Sequence, residues 1–394
     1  MNTLGIYILG ARGNVATLAA AGASAISQGL AQATGTVTSA SDFAELPLTD
    51  YNDMLFGGCD LAPAGLDRKL IGLADQGRML APELARKLAP VMQKLDQQID
   101  PALKISRNGV PEGGYLAAVK EITERFASFK ERNDCERLVF VNLISTEAAI
   151  FADEHHASAA SFEQALASDL PGLANISMLY TWAAINAGIP VVNFTPSQSL
   201  EIPAIAERAK ERNVPHAGKD GKTGETLLKT VLGPMFVARG LKVKSWLANN
   251  YLGNNDGLSL NEPDRRATKL ESKDQALRSI LGDDAHLATD IGYAPSLDDW
   301  KTAWDLIHFE GFLGTMMTMQ FTWQGCDSAL ASPLVLDLIR LLDFANRMGE
   351  GGALGYLASF FKSPQGVEEH GFAEQLAMLS AHVRKWKEAG ISVA

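Results

Sequence analysis

Strand-like and helix-like segments alternate along the first half of the chain, and this alternation restricts the fold more than any other feature. The apolar run LGIYIL at 4–9 leads directly into a glycine turn and an alanine-rich helical segment. Further apolar runs at 137–144 and 189–194 predict buried strands. Helix-like segments lie between and after them, at 80–98, 113–132, 159–168, 176–187 and 200–212. Strands and helices in this order predict an α/β domain, with a parallel sheet covered by helices.

The pattern changes beyond residue 240. In MMTMQFTW at 316–323, apolar and polar residues alternate with the period of a strand, which predicts a half-buried strand of an antiparallel or mixed sheet. The segment from Pro333 onward has a helical pattern with proline in its first turn. A chain of 394 residues is also too long for one comfortable core. We therefore expect a second domain at 226–330.

Composition limits the classes of function. The chain is 46% hydrophobic and 21% charged, as in ordinary soluble globular proteins, and its net charge of −11 argues against a nucleic-acid or anionic-membrane binder. The cysteines, Cys59, Cys135 and Cys326, are far apart without CxxC spacing, which indicates a reducing compartment and no structural zinc. No apolar run approaches the roughly 18 residues of a membrane span, and the N-terminus lacks a signal-peptide pattern. We expect a cytoplasmic protein.

A glycine turn, Gly10-Ala-Arg-Gly-Asn-Val-Ala16, joins the first strand to the first helix. Small residues at such a turn let backbone N–H groups meet a pyrophosphate at the helix N-terminus, as in a dinucleotide fingerprint. Arg12 stands where the second glycine of G-x-G-x-x-G belongs, and similar turns occur in α/β proteins of other function. An acidic ribose ligand about 20 residues further on is absent, and Asp42 and Asp60 are later candidates.

A second polar turn, Gly218-Lys-Asp-Gly-Lys-Thr-Gly-Glu-Thr226, precedes another predicted helix. Its Gly-Lys-Thr resembles the end of a P-loop, but His216 replaces the first glycine of that pattern, so a nucleoside-triphosphate site is not expected. Two interpretations stay open. The N–H groups of the turn could hold a phosphate, or the segment is a flexible polar turn with Thr223 as the helix N-cap.

The run ANNYLGNNDG at 248–257 follows a predicted buried strand and is by itself most typical of a turn. Lys269 and Lys273 come after it, four residues apart, and would share one face of a helix. Their mutual repulsion is tolerable if an anion lies between them. Lys301 and Lys362 lie in similarly polar or glycine-rich contexts. Any one of these lysines, taken alone, is most simply a solvated surface residue.

Taken together, these segments resemble the myo-inositol-1-phosphate synthase family. The family carries an LGNNDG-x-N-L run followed by S-K-x-x-S-K, and 251–260 with Lys269 and Lys273 are similar, although Ser259 replaces an asparagine. Other landmarks follow in the family's order: Gly10–Ala16, Cys59-Asp60, Ser145–Glu147, Asn193–Pro196, Gly218–Thr226, Asp299–Asp305, Asp327 to Pro333, and Phe361-Lys362. The resemblance spans the chain; it is strong from 193 to 364 and weak between 20 and 135.

The resemblance implies a two-domain α/β fold. Residues 1–225 and 331–394 would form a Rossmann-like NAD-binding domain, and 226–330 an α+β catalytic and tetramerisation domain with a mixed sheet. It also implies an NAD-dependent isomerase, an intramolecular lyase, that converts D-glucose 6-phosphate to 1D-myo-inositol 3-phosphate for inositol and phospholipid biosynthesis. Oxidation at C5, enolisation, aldol cyclisation onto C1 and re-reduction by the same cofactor leave no net redox change.

The resemblance assigns site residues by position. The implied catalytic residues are Lys269, Lys273, Lys301, Lys362, Asp256 and Asp327. The implied cofactor-binding residues are Gly10, Ala11, Arg12, Gly13, Asn14, Val15, Asp60, Ser145, Thr146, Asp220, Asn254 and Asp327. The implied ligands of the substrate phosphate are Thr223, Gly224, Glu225, Thr226, Lys273 and Lys301. A monovalent or divalent cation near the cofactor is also implied, but the sequence gives no ligand set for it.

Within this set the resemblance gives each group a role. Lys269 would move the C5 hydroxyl proton, whereas Lys301 and Lys362 would stabilise negative charge on the C5 and C1 oxygens. The three aspartates at positions 220, 256 and 327 would converge near the nicotinamide and orient the lysines.

Two residues of the phosphate turn depart from the family pattern. Lys219 replaces the first Asp of its G-D-D motif, and Glu225 replaces its Gln. A carboxylate beside a phosphate is unfavourable unless a cation compensates, and we predict that Lys219 is that cation. These departures leave open a same-fold carbocyclase or epimerase that acts on another sugar phosphate. A non-catalytic NAD-binding regulator is less favoured, because such a protein has no need for the lysine set.

Overall fold

The computed structural model describes residues 3–106, 109–253 and 277–389. The chain falls into two compact units. Unit 1 consists of Met1–Asp220, Ser332–Gly355 and Val383–Ala394, and unit 2 consists of Gly221–Ala331 and Tyr356–His382. The domain limits inferred from the family pattern stay a prediction.

The strands form one sheet in each unit. They are β1 (Leu4–Leu9), β2 (Met54–Asp60), β3 (Ile99–Pro101), β4 (Arg137–Asn142), β5 (Val191–Asn193), β6 (Pro215–Gly218), β7 (Lys242–Leu252), β8 (His286–Tyr293), β9 (Trp300–Glu310), β10 (Met316–Cys326) and β11 (Gly352–Ala353). The helices are α1 (Asn14–Ser27), α2 (Leu66–Asp75), α3 (Pro82–Asp96), α4 (Tyr115–Arg132), α5 (Ala159–Leu166), α6 (Ile176–Asn186), α7 (Pro203–Glu211), α8 (Gly224–Ala238), α9 (Asp327–Arg347) and α10 (Phe372–Glu388).

The sheet of unit 1 is parallel, in the order β11-β6-β5-β4-β1-β2-β3. Every residue of β1 is buried, because helices cover both faces of such a sheet, and this explains the unbroken apolar run at 4–9. The strand order reverses at β1, which has β2 on one side and β4 on the other. Ligands of α/β proteins bind at the carboxyl ends of strands at such a reversal. The predicted α/β fold is confirmed.

An aromatic cluster fills the core beneath α4 and α6. The ring of Tyr7 on β1 meets the edges of Phe126 and Phe129, at centroid distances of 4.8 and 5.6 Å, and Phe140 stacks on Tyr180 at 5.9 Å. All these rings are fully buried. Burial of each such side chain stabilises the fold by about 1.5–3 kcal/mol, so this cluster fixes the helices that carry the apolar stripes seen in the sequence.

Strand β2 is absent from the sequence-based expectation because its centre is Gly57-Gly58. A Cβ atom at Gly57 would lie 2.3 Å from Cε2 of Phe129, and one at Gly58 would lie 1.9 Å from the carbonyl oxygen of Ile8. Both glycines therefore allow the strand to approach β1 and α4 closely. They also remove the β-branched and aromatic residues by which strands are recognised.

Unit 2 contains a mixed sheet in the order β10-β9-β7-β8, in which β7 and β8 are parallel and the other pairs antiparallel. The predicted strand at 316–323 is β10, and the mixed sheet is confirmed. One face packs on α8 through Phe236, whose ring lies 6.2 Å from that of Trp246. The buried indole N–H of Trp246 donates to Asp305 at 2.7 Å.

Two predicted boundaries are wrong. Helix α9 begins at Asp327, so Pro333 lies inside it rather than in its first turn. The earlier start is stabilised by Asp299, which accepts the backbone N–H of Ser328 at 2.9 Å. The Asn-rich run does not begin as a turn, because 248–252 still belong to β7 and pair with β8. Residues 254–257 of that run lie outside the described residues.

Candidate functional site

The glycine turn after β1 is held tightly between its neighbouring strands. The backbone N–H groups of Gly10 and Ala11 donate to the carbonyl oxygen of Cys59, at 3.0 and 3.2 Å. Gly10 has φ +89°, and a Cβ atom there would lie 3.0 Å from the carbonyl oxygen of Leu143. A residue with a side chain would be strained at this position and would meet the end of β4.

Helix α1 begins at this turn with glycine as its N-cap. The first turn of the helix includes Asn14 and Val15. Gly13 has no side chain that could accept a hydrogen bond from their backbone N–H groups. Amides at a helix N-terminus attract anions, and those of α1 lie at the carboxyl end of the sheet beside its order reversal. The turn therefore has the features of a pyrophosphate site.

The guanidinium of Arg12, the cation in this turn, binds neighbouring groups of the protein. The guanidinium of Arg12 binds Asp96 at 2.7 Å and the carbonyl oxygen of Ala62 at 2.9 Å, and its side chain is 9% exposed. Its backbone N–H donates to Asp60 at 2.6 Å. An arginine is tolerated at this glycine position because its side chain is buried against the end of α3, away from the backbone of the turn. The charge of Arg12 is offset by Asp96.

Asp60 is the last residue of β2, next to the glycine turn. An acidic residue at the end of this strand is the usual ligand of the ribose. It comes late in the sequence because short turns at 37–39, 41–43 and 51–53 follow α1 before β2 begins. Asp42, the other candidate, is an exposed residue of the second of these turns.

Three further predicted cofactor residues lie beyond the ends of β4 and β6. Ser145 is exposed and Thr146 half-buried, in the loop that follows β4. Glu147 anchors that loop by accepting the backbone N–H groups of Ile176 and Ser177 at the start of α6. Asp220 follows β6, is 6% exposed, and donates its N–H to Thr195 at 3.1 Å.

In unit 2, the polar turn before α8 brings together several of the predicted residues. Thr223 occupies the N-cap position, but its side chain does not cap the helix; the hydroxyl donates to Asp327 at 3.2 Å. Gly224 has φ +55°, and a Cβ atom there would lie 3.2 Å from Nε1 of Trp323. Thr223 is therefore the N-cap residue that the turn interpretation expects, but its side chain does not make the capping bond.

Among the described catalytic candidates of unit 2, Asp327 contacts this turn, Lys301 contacts Asp327, and Lys362 follows a residue that bridges to the turn. Lys301, near the start of β9, lies 4.0 Å from Asp327, the first residue of α9. Asp327 therefore contacts both Thr223 and Lys301. Gly221 forms a β-bridge with Phe361, which precedes the half-buried Lys362. Lysines and a helix N-terminus in this arrangement suit a phosphate and developing negative charge.

A further lysine, Lys222, has no role in the sequence-based assignment. It is 2% exposed; its ammonium donates to the side-chain oxygen of Gln375 and lies 5.7 Å from the centre of the Phe372 ring. Burial lowers the pKa of Lys222 to about 8. The signal for it in the sequence is the Gly-Lys-Thr of the polar turn, which also resembles the end of a P-loop.

The predicted compensation of Glu225 by Lys219 is wrong. Lys219 pairs with Glu201, whereas Glu225 pairs with Lys229 at 2.8 Å, one helical turn further along α8. Both side chains of the second pair are almost completely buried. Residues four apart on a helix lie on one face, which explains the partner.

The family model for myo-inositol-1-phosphate synthase matches residues 4–384. The chain belongs to the myo-inositol-1-phosphate synthase family. Inositol-3-phosphate synthase 1 of Bacteroides thetaiotaomicron is 34% identical over 93% of this chain and 90% of its own length. Isozyme 2 of Arabidopsis thaliana is 29% identical over 88% of this chain and 76% of its own. The resemblance read from the sequence motifs is confirmed.

Solved structures in the synthase family share the fold. The crystal structure of inositol-3-phosphate synthase from Caenorhabditis elegans has a TM-score of 0.85 at 24% identity, over 97% of this chain and 85% of that one. A myo-inositol-1-phosphate synthase-related protein from Thermotoga maritima has a TM-score of 0.75, over 96% and 98%. The family is NAD-binding, and this chain is an enzyme of that kind.

The residues at the glycine turn fit NAD. Gly10 and Gly13 leave space for close approach to the α1 amides, and Asp60 stands at the end of the neighbouring strand. Four assigned residues, Asn254, Asp256, Lys269 and Lys273, lie outside the described residues. Within the described ranges, no group of three or more His, Cys, Asp or Glu side chains forms a metal site, and no helix is long and apolar enough to cross a membrane.

Proposed function

We propose that the chain converts D-glucose 6-phosphate to 1D-myo-inositol 3-phosphate. The observation that carries the proposal is the position of Asp327, which contacts both Thr223 and Lys301 at the N-terminus of α8. In a member of the synthase family, this arrangement suits a sugar phosphate that must be held and then deprotonated.

The substrate phosphate is proposed to bind at the start of α8. The amides of residues 223–226 supply oriented donors at the helix N-terminus, where the Thr223 side chain makes no capping hydrogen bond. Lys301 supplies a cation on the neighbouring strand. Lys273, assigned to the same phosphate, lies outside the described residues.

Charge stabilisation is proposed for Lys301 and Lys362. Enolisation and ring closure place negative charge on the C5 and C1 oxygens, and an oriented ammonium stabilises such charge more in the transition state than in the ground state. Asp327 orients Lys301 through their ion pair. Proton transfer is proposed for Lys269, and catalytic roles for Lys273 and Asp256; all three lie outside the described residues.

NAD is proposed to lie along the carboxyl ends of β1, β2, β4 and β6, and when bound it supplies hydride transfer. The proposed ligands in unit 1 are Gly10, Ala11, Arg12, Gly13, Asn14, Val15, Asp60, Ser145, Thr146 and Asp220. Asn254 and Asp327 complete the proposed set. Arg12 belongs to this set by its place in the turn, since its guanidinium is engaged by Asp96 and its backbone N–H by Asp60.

The assembly and location of the enzyme are proposed by analogy with the family. We propose a cytoplasmic homotetramer that assembles through 226–330, with no nucleic-acid or membrane partner. The net charge of −11 supports the last point, because nucleic acids and anionic membranes repel an acidic protein.

The decisive experiment incubates the purified chain with NAD⁺ and glucose 6-phosphate and follows two readouts together. We expect inositol phosphate by NMR, with no net accumulation of NADH by absorbance. Accumulating NADH would indicate a plain dehydrogenase. Turnover to a different cyclic or epimeric product would indicate another reaction on the same fold.

A further inference from the structure

A buried ion pair lies in the first two turns of α8. Glu225 is the second residue of the helix and Lys229 the sixth, and their side chains are 1% and 3% exposed. The ammonium of Lys229 lies 2.8 Å from the Glu225 carboxylate and also donates to the hydroxyl of Thr289 on β8, at 3.2 Å. Two charges are thus taken out of water beside the turn proposed to hold the phosphate.

The position of Glu225 creates a conflict that the rest of the turn does not have. The N-terminus of a helix attracts any anion, so a carboxylate in its first turn competes with a phosphate for the same amides. An uncompensated carboxylate there would also repel the phosphate through a medium of low dielectric. Glu225 therefore needs a compensating cation if a phosphate is to bind at this turn.

We propose that Lys229 is a positioning residue of the phosphate site. Its ammonium holds the Glu225 carboxylate and cancels its charge, so that the start of α8 accepts the phosphate as it would with Gln. Thr289 fixes the direction of the ammonium from the neighbouring sheet. This inference rests on the proposed function.

A purely structural ion pair would behave differently. Loss of one partner would then lower the stability of the fold without a selective effect on substrate. If Lys229 instead protects the phosphate site, its loss raises KM for the phosphorylated substrate and leaves kcat almost unchanged. Replacement of Glu225 by Gln then removes the need for Lys229.

The test is a double-mutant cycle of Lys229→Met and Glu225→Gln, with Lys219→Met as the matched control. Lys229→Met is expected to raise KM for glucose 6-phosphate about tenfold or more, as truncation of one partner of a buried charge pair does. The double variant is expected to return to the wild-type KM, and Glu225→Gln alone not to raise it. Lys219→Met is expected to leave KM unchanged, because Lys219 pairs with Glu201.

An unchanged KM in Lys229→Met, or a raised KM that persists in the double variant, overturns the inference. If Lys229→Met does not fold, Glu225→Gln is compared with the double variant: equal KM supports the inference, and a higher KM in the double variant overturns it. If the wild-type chain forms no inositol phosphate, the proposed function fails separately. The same cycle is then measured by calorimetry with inorganic phosphate, and the same pattern of affinities decides.

Discussion

Two strand-to-helix turns of this chain have a similar backbone conformation but differ in the charged side chains around them. The turn at 10–15 in unit 1 and the turn at 221–226 in unit 2 each contain a glycine at positive φ. Each also leads into a helix without a side-chain cap. In the first turn, the cation is bound by Asp96, whereas the second has Lys222 within it and Lys301 beside it.

This difference matches the anions that the two turns are proposed to hold. A pyrophosphate diester carries its charge on groups that do not react, so oriented amides suffice for a cofactor that stays bound. A phosphate monoester is a dianion, and its sugar develops further negative charge during the reaction. Cations are therefore needed where the substrate binds, and would add little where the cofactor binds.

Replacement of Lys301 by Met tests the charged half of the comparison and has the largest expected effect. We expect kcat to fall about 10²–10³-fold, as on removal of one donor to a developing oxyanion, with unchanged affinity for NAD. Inositol phosphate formation and NAD titration by fluorescence give the two values. Lys120→Met on the exposed face of α4 is the control. A kcat within about threefold of wild type would remove Lys301 from the proposed mechanism.

Replacement of Lys222 by Met tests whether burial of this charged lysine in the second turn lowers the free energy of unfolding. Burial lowers the pKa of Lys222 from 10.5 to about 8. Between these values the unfolded chain holds the proton that the folded chain has lost, so the free energy of unfolding rises with pH. We expect wild type to gain at most about 3 kcal/mol relative to the variant across this interval.

The measurement for Lys222 is urea unfolding of both proteins below about pH 8 and near pH 10. Other lysines, tyrosines and cysteines titrate in the same interval, but they do so equally in both proteins and cancel in the difference. Parallel pH profiles would show that Lys222 is not held in a desolvated place.

Exchange of one glycine in each turn tests whether the turns serve different ligands, and has the smallest expected effect. Gly10→Ala and Gly224→Ala each introduce a side chain at positive φ against a close neighbour. Strain of about 1–2 kcal/mol corresponds to roughly tenfold in affinity. We expect Gly10→Ala to weaken NAD and Gly224→Ala to raise KM for glucose 6-phosphate. Equal effects of either variant on both ligands would contradict the comparison.

Much of unit 1 could be predicted from periodicity alone. The strand at 4–9 and the helices α3 to α7 are confirmed within a few residues, because their apolar residues are buried, those of α4 to α7 in one continuous core. The mixed sheet of unit 2 also follows from the alternation at 316–323. Strand β2 could not be predicted, because the close packing that requires Gly57 and Gly58 depends on residues far away in the chain.

The sequence predicted which residues belong to the candidate site better than it predicted the contacts between them. The family motifs name Thr223, Lys301 and Asp327 without showing that Asp327 contacts the other two. The sequence-based interpretation pairs Glu225 with Lys219, the other residue of the turn that departs from the family motif. Helical periodicity points to Lys229, but only the burial of the helix face makes that pair obligatory.

The Glu147 carboxylate affects which helix N-termini of this fold can bind a phosphorylated ligand. Every helix N-terminus is an attractor for phosphate, and α6 presents one behind the loop that follows β4. The chain occupies that position with its own carboxylate, which accepts the N–H groups of Ile176 and Ser177 at 2.9 and 3.1 Å. Because the Glu147 carboxylate occupies this helix N-terminus, a phosphate group cannot bind there. Phosphorylated ligands are thereby directed to other helix N-termini, such as those of α1 and α8, where the N-cap residue makes no side-chain capping bond.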